Sequence, residues 1–494
     1  MAFKLRKPPK LSAKLDAYPY QLDAVRAVQK LPYAAIFHEQ GLGKTKIAVD
    51  LALSWLESDT VDTVFIITKK TLVQNWVDEL STHSYVSPRV LSGNRGKNNI
   101  ALNSPVMLYV MNYEVISANF DLLQLFLKTC RVGAILDESQ KIKNPEAKLT
   151  ESFHALAPGF CRRVIMTGTP VANRPFDIWS QIKFLDDGEA LGESFAEFKA
   201  ETEIPDSASE RDEYGGRLAE IMGKLKDFSV RETKKSSGIE LPDKTIITQS
   251  VEMAPLQAKI YADYRDKLSH EFVSADGVVT ADSAEDILKR LLRLVQCASN
   301  PALVDDSYQE TPGKFPLLVK ILDQLGIDSA KVIIWTGFIE NVEWLCRKLH
   351  MHNPAKTHGG LAIDRRNRNI AKFKEDPSCR VLVATPGAAK EGLTLTVANH
   401  AVFYDRGFSL DDYLQAQDRI HRISQTQSCF VHNLVARDTI DQWVDRLLYA
   451  KHQAAQLAQG DIDQSAFSQD FDFDLSHELS EILEVACGRT HQTR

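Results

Sequence analysis

Ala34-Ala35-Ile36-Phe37-His38-Glu39-Gln40-Gly41-Leu42-Gly43-Lys44-Thr45 is the stretch from which the rest of the chain is read. Its first four residues are apolar and suit a buried strand. After Thr45, Ile47, Ala48, Leu51, Ala52 and Trp55 recur at helical spacing. A glycine-rich turn between strand and helix aims backbone N–H groups and the positive helix end at a polyphosphate. In that setting Gly41 and Gly43 offer N–H groups, Lys44 reaches the β and γ phosphates, and the Thr45 hydroxyl binds Mg²⁺. His38 stands where the strict pattern has glycine. The strand–turn–helix setting, not the bare Gly-Lys-Thr, therefore carries the reading.

Val132-Gly133-Ala134-Ile135-Leu136 reads as another buried strand, with Asp137-Glu138 at its end. An aspartate there holds Mg²⁺, and the adjacent glutamate orients and deprotonates the attacking water. Alone, such a pair is more often a solvated strand end; beside a phosphate loop it completes a site. Far along the chain, Asp418-Arg419-Ile420-His421-Arg422 sets two arginines three residues apart, spaced to reach the same phosphates from a second domain.

Composition agrees with an intracellular α/β protein of about three domain-sized units, at 494 residues and 44% hydrophobic. No apolar run approaches membrane-spanning length, so no membrane partner is expected. The start lacks a secretory apolar core, and a cytoplasmic location follows as an expectation. Seven cysteines lie scattered without a Cys-x-x-Cys pair, which favours reduced thiols over a disulfide framework or zinc site. The expected cofactors are ATP and Mg²⁺. A net charge of −7 does not exclude a nucleic-acid partner, since grooves depend on local field. The first residues are basic (Lys4, Arg6, Lys7, Lys10, Lys14) and form either a solvated arm or a phosphate contact.

Apolar runs at 64–67, 106–110 and 164–166 alternate with helical patterns, as do those at 332–335, 381–383 and 401–404. Such alternation implies parallel sheets with helices on both faces. The expected organisation is a basic arm at 1–15, a first α/β lobe at 16–186 and helical, polar protrusions with a linker at 187–310. A second α/β lobe follows at 311–445, then a brace helix and acidic tail at 446–494. Pro205 to Glu213 reads as a loop. Asp438 reads as the cap of a helix carrying Ile440, Trp443, Val444, Leu447 and Leu448. The tail interleaves aspartates with Phe467, Phe471 and Phe473, which suits a loose terminal helix, a docking segment for a protein partner or an inhibitory one.

These residues together resemble the Swi/Snf-type DNA translocases among superfamily two helicase-like ATPases. The likeness runs in order from about residue 18 to 445. Gln40-Gly41-Leu42-Gly43-Lys44-Thr45 resembles that family's Met-Gly-Leu-Gly-Lys-Thr loop, and Tyr20-Gln21 its adenine-reading motif. Asn75-Trp76, Thr167-Gly168-Thr169-Pro170, Leu241-Pro242-Asp243-Lys244 and Gln415-Ala416 through Arg419, Arg422 and Gln425 resemble further family motifs. Gly392-Leu393-Thr394-Leu395-Thr396 is similar to the compact, fork-remodelling annealing-helicase branch.

The resemblance implies two RecA-like parallel-sheet lobes with helical protrusions between them and a helical C-terminal brace. It also implies a nucleic-acid-stimulated ATPase acting on DNA, double-stranded or forked. The implied catalytic set is Lys44, Glu138, Gln415, Arg419 and Arg422. Gln21, Gly41, Gly43, Lys44 and Thr45 would bind nucleotide, and Thr45 and Asp137 the metal. Thr68, Asn75, Tyr113, Thr336, Thr385 and Thr394 would meet the nucleic-acid strand, while Trp76 reads as a packed aromatic behind the loop.

The chain also departs from the family. Gln140 replaces a histidine that connects the ATP site to the third motif, Ser424 replaces a glycine, and Phe408-Ser409-Leu410 stands for Trp-Asn-Pro. None of these removes an implied catalytic residue. A strand-separating helicase on DNA or RNA and an ATP-gated binding switch stay open as alternatives to a translocase.

Overall fold

The computed structural model describes residues 9–170, 175–202, 211–273, 284–326, 330–389, 394–459 and 461–462. The chain divides into two compact units. The first, lobe one, takes in the N-terminal part to Pro205, Arg211–Glu240 and a return segment beginning at Ala455; lobe two takes in Leu241–Ala454. The stretch 187–310, expected to hold helical protrusions and a linker, parts at Glu240–Leu241 between the two units.

Lobe one opens with helix α1 (Pro19–Val28), then β1 (Tyr33–Ile36), α2 (Lys44–Glu57), β2 (Thr63–Thr68) and α3 (Val73–His83). Strands β3 (Arg89–Leu91), β4 (Leu108–Asn112), β5 (Val132–Asp137), β6 (Arg162–Met166) and β7 (Ser229–Val230) complete a sheet of order β3-β4-β2-β5-β6-β1-β7. Every pairing in it is parallel. Parallel sheets are covered on both faces, which is why their strands are continuously apolar. In β1, Ala34 and Ile36 join one core, with Val49, Leu53 and Trp76, while Ala35 joins the other, with Phe65, Tyr109 and Phe153.

Lobe two repeats the plan with β8 (Lys244–Val251), β9 (Val332–Trp335), β10 (Ala355–Thr357), β11 (Val381–Ala384), β12 (His400–Phe403) and β13 (Cys429–Ala436). Their order is β10-β11-β9-β12-β13-β8, again with parallel pairings throughout. β8 falls in the segment expected to be mostly helical. Its Thr245-Ile246-Ile247-Thr248 run is β-branched, and the strand pairs along its whole length with β13 at the sheet edge. Helices Pro255–Val273 and Ala284–Ser299 supply the helical part of that segment.

The brace helix runs Ile440–Ala458 and so crosses the expected domain bound at 446. Asp438 is not its cap: it sits at φ +55°, and the Thr439 hydroxyl instead accepts from the Asp441 N–H at 3.2 Å. Asp441 pins the helix start through an ion pair of 2.5 Å to the buried Lys314. Lys4, Arg6 and Lys7, Gly392-Leu393, the tail beyond 462 and most of the expected loop at Pro205–Glu213 lie outside the described residues; Arg211 already opens a helix, Arg211–Lys224. Lys10 and Lys14 are described, with their ammonium groups 5.3 and 5.1 Å from the Tyr85 ring centroid. Among the described residues no helix is long and apolar enough to cross a membrane.

Lobe two contains a buried histidine pair. His400 Nδ1 and His432 Nε2 lie 3.4 Å apart, and the His400 ring stacks on Phe430. Burial, and then the neighbouring His432, push His400 down to about 4; burial also lowers His432. Between the ordinary histidine value and about 4 the unfolded chain therefore binds more protons than the native state. Stability is full above that window and falls as pH falls through it. His400→Leu should flatten the acid-side slope of melting temperature against pH between about 6.5 and 4. An unchanged slope would show that the pair does not set it.

Candidate ATP site

The predicted phosphate loop follows β1, and its glycines are required by their backbone. Gly41 and Gly43 have φ of +89° and +71°, a region that L side chains avoid, and Gly43 is the residue from which α2 starts. Lys44 Nζ donates to the carbonyls of His38 and Glu39 at 2.8 and 3.3 Å, so its charge lies on the loop itself. Thr45 is in the first turn of α2, half-buried. His38 is buried beneath the loop, and burial followed by the Lys44 charge push it down to about 4. It is a neutral packing residue where the strict pattern has glycine.

Asp137 ends β5, beside this loop. Its Oδ2 accepts from the Trp76 indole N–H at 2.8 Å and the Thr68 hydroxyl at 3.2 Å. Loss of water and the adjacent Glu138 charge raise it to about 6, against the Trp76 bond and the charges of Lys44 and Lys69, which lower it. Glu138 adopts φ +55° and turns the other way. Gln140 Nε2 donates to its Oε2 at 2.5 Å, Gln40 Nε2 to its Oε1 at 3.5 Å, and Lys69 Nζ lies 3.5 Å from Oε2. Strands β1, β2, β4, β5 and β6 thus bring Lys44, Thr68, Tyr113, Asp137 and Thr167 to one edge, the carboxyl edge where open parallel sheets bind ligands.

Gln21 holds the loop. Its Oε1 accepts from the Tyr18 N–H at 3.0 Å, and its Nε2 donates to the Leu42 carbonyl at 3.1 Å. Tyr20 reaches the same carbonyl at 2.8 Å. From the other side, Arg231 donates to the Phe37 carbonyl at 2.9 Å and pairs with Asp461. Sequence reading missed Lys69, Arg231 and the contact role of Gln40. Lys69-Lys70 directly after a strand end was the available signal for the first; nothing local marked the other two.

Three of the expected strand contacts are engaged inside the protein. The side chains of Thr68, Tyr113 and Thr336 are fully buried and engaged inside the protein. Thr68 bonds Asp137, Tyr113 donates to the Asp137 carbonyl at 2.8 Å, and Thr336 donates to Asp405 at 2.6 Å. Thr385 is nearly buried at the end of β11, whereas Asn75 on α3 and Thr394 are exposed. Trp76 is buried, as its reading as a packed aromatic requires, but it also donates to the expected metal ligand.

In lobe two, Gln415 lies buried in the last turn of the helix Leu410–Gln417, donating to Asp411 at 2.8 Å. Arg419 and Arg422 lie in the turn that follows. Arg419 is buried; Arg422 donates to the Asp418 carbonyl at 2.9 Å and to the Thr394 hydroxyl at 3.4 Å. Gln425 bonds the carbonyls of Ala398 and Ile420 and accepts from two N–H groups, which makes it the hub of this turn.

Residues 25–303 match the SNF2-related domain, and residues 313–424 match the helicase conserved C-terminal domain. The chain belongs to the SNF2-related family. A putative ATP-dependent helicase/translocase of Bacillus subtilis is 27% identical over 85% of this chain and 45% of its own length. The ATP-dependent DNA helicase DDM1 of Arabidopsis thaliana is 23% identical over 84% of this chain and 57% of its own. The chain thus spans about half the length of these relatives. Among solved structures, the Sulfolobus solfataricus SWI2/SNF2 ATPase core in complex with dsDNA aligns over 98% of this chain and 99% of that one, at 25% identity and a TM-score of 0.42.

Two measurements test the geometry. A Cβ at Gly43 would stand 2.5 Å from Gln21 Nε2 on a strained backbone. Gly43→Ala should therefore weaken ATP binding by about tenfold or more, at a cost of roughly 1–2 kcal/mol; calorimetric titration reads it. In lobe two, Asp405 accepts from Ser299, Thr336, Asn341 and the Gly337 N–H. Asp405→Ala strands these buried donors and should cost on the order of 3 kcal/mol or more in denaturant melts.

Proposed function

We propose that the chain is an ATP-dependent translocase on double-stranded DNA that remodels DNA or protein–DNA complexes without separating strands. The observation that carries the ATPase half is the meeting of the phosphate loop with Asp137 and Glu138 at one sheet edge. The family and the names of its relatives support DNA as the track, and reannealing at forks is the finer reading offered by the motif around Thr394.

In this reading ATP binds through the N–H groups of Gly41 and Gly43 and through Lys44, with Gln21 keeping the loop in shape. Thr45 and Asp137 would hold Mg²⁺, which when bound neutralises phosphate charge. The left-handed glycines and the open helix start form a cradle that suits a polyphosphate. Glu138 accepts the proton of the attacking water. Arg419 and Arg422 are assigned to the γ phosphate from lobe two, where a finger arginine is worth ~10³–10⁵ in rate. Hydrolysis is then tied to closure of the two lobes, the requirement of a stepping motor. Asn75, Thr385 and Thr394 are the proposed contacts to the strand, using polar groups that grip phosphate without reading sequence.

ATP turnover with Mg²⁺ should rise strongly on adding blunt duplex or forked DNA. Glu138→Gln should abolish it, and Arg422→Ala should lower it by at least ~10³ while ATP still binds. Stimulation by single strands or RNA alone would instead indicate a strand-separating helicase. Turnover indifferent to every nucleic acid would indicate a partner-gated switch, and full hydrolysis by Arg422→Ala would remove the finger assignment.

A further inference from the structure

Two departures from the family pattern converge on one carboxylate. Gln40 stands where the resembled family motif has methionine, and Gln140 where it has histidine. Gln140 Nε2 meets Glu138 Oε2 at 2.5 Å and Gln40 Nε2 meets Glu138 Oε1 at 3.5 Å, one amide on each oxygen. Gln40 is buried, and its stem lies on Gly168 of the Thr-Gly-Thr-Pro motif. A Cβ at Gly168 would stand 2.7 Å from Gln40 Cγ and 2.9 Å from Cδ. A single side chain of the phosphate loop therefore fills the space between Glu138 and the third motif.

We propose that Gln40 and Gln140 are positioning residues that together fix the orientation of the Glu138 carboxylate, with Gln40 also tying it to Gly168. The proposal rests on Glu138 being the water-activating base. A carboxylate on a flexible stem loses efficiency when its acceptor oxygen wanders from the line of attack, and two amide donors hold both oxygens at once. Amides neither take nor release protons near neutral pH, so this clamp positions the base without competing for the proton it removes. A methionine at 40 fills the same volume but donates no hydrogen bond. Histidine at 140 would have added a titrating group; glutamine keeps the donor and removes the titration. The absence of a glycine side chain at 168 leaves the room that Gln40 occupies.

The near-equal size of methionine separates positioning from packing. Gln40→Met should lower DNA-stimulated kcat about tenfold while KM for ATP and the affinity for a fluorescent ATP analogue stay within about twofold. Gln40→Glu, which sets a second carboxylate against Glu138, should fall further. Gln140→Met should lower kcat in the same way. The double variant should lose less than the product of the two single losses, because both act on one group. Melting curves identify any variant that does not fold, and the Gln140 variant, on a half-buried side chain, tests the clamp independently of the loop. Wild-type kcat in folded Gln40→Met, or strictly multiplicative losses, would overturn the proposal. Wild-type turnover by Glu138→Gln would instead remove the base assignment on which it stands.

Discussion

Asp137 and Glu138 put two negative charges on consecutive residues at the carboxyl end of β5, where the sheet and its helices exclude water from one side. Two carboxylates so placed repel each other and resist desolvation, and the raised Asp137 records both effects. Lobe one is organised around relieving this. Asp137 takes the indole of Trp76 and the hydroxyl of Thr68, and its carbonyl takes the phenol of Tyr113. Glu138 escapes through a left-handed backbone, which points its side chain to Gln140, Gln40 and Lys69. The strain of that backbone, of order 1–3 kcal/mol, is the kind a functional site tolerates. A metal bound by Asp137 would supply a positive charge where the pair most needs one.

Lobe two meets a similar demand differently. Asp405, just past β12, is nearly inaccessible, and its described hydrogen bonds come from neutral groups: two hydroxyls, an amide and a backbone N–H. These donors come from the Ser299 helix end, the β9 end, and the helix Ile339–Lys348. One carboxylate thus joins a helical element to the sheet it covers. A charged group held by neutral dipoles and closed off from water serves fixation, whereas the acids of lobe one stand beside the phosphate loop and its lysine. The difference separates an acid closed into the fold from a pair placed beside the phosphate loop.

The central strands were legible in the sequence because full burial leaves no alternative to continuous Val, Ile, Leu and Ala. The phosphate loop was legible because only glycine tolerates the backbone at 41 and 43. The acidic pair was legible because it follows a buried run. β8 escaped because it is an edge strand, half exposed, whose Ile246 faces solvent and breaks the apolar signature. Thr68, Thr336 and Tyr113 were assigned to the strand track by resemblance to family motifs, and in the fold all three engage groups inside the protein. Position alone does not say to which side a hydroxyl turns, and a nearby carboxylate outcompetes solvent for it. The cap of the brace helix was misplaced by one residue for a local reason: Asp438 and Thr439 are both good caps, and only the left-handed φ of Asp438 disqualifies it.

The first lobe's boundaries follow from how the phosphate loop is held. The N–H groups of Ala35, Phe37 and Glu39 donate to the carbonyls of Phe228, Val230 and Glu232 at 2.8 Å each, which extends the ladder past β1 into the loop. Glu39 also receives the Lys234 N–H at 2.8 Å. On the opposite side Tyr20 and Gln21 hold Leu42, and behind the strand Arg231 links Phe37 to Asp461. The loop's conformation thus depends on residues near 20, near 230 and near 461. A lobe cut at residue 186 would keep every motif but lose two of the three braces, and a glycine loop with positive φ angles has little stability of its own to replace them. That is why segments more than 180 residues apart in sequence return to the same unit, and why the nucleotide site is a property of the folded lobe rather than of its motif.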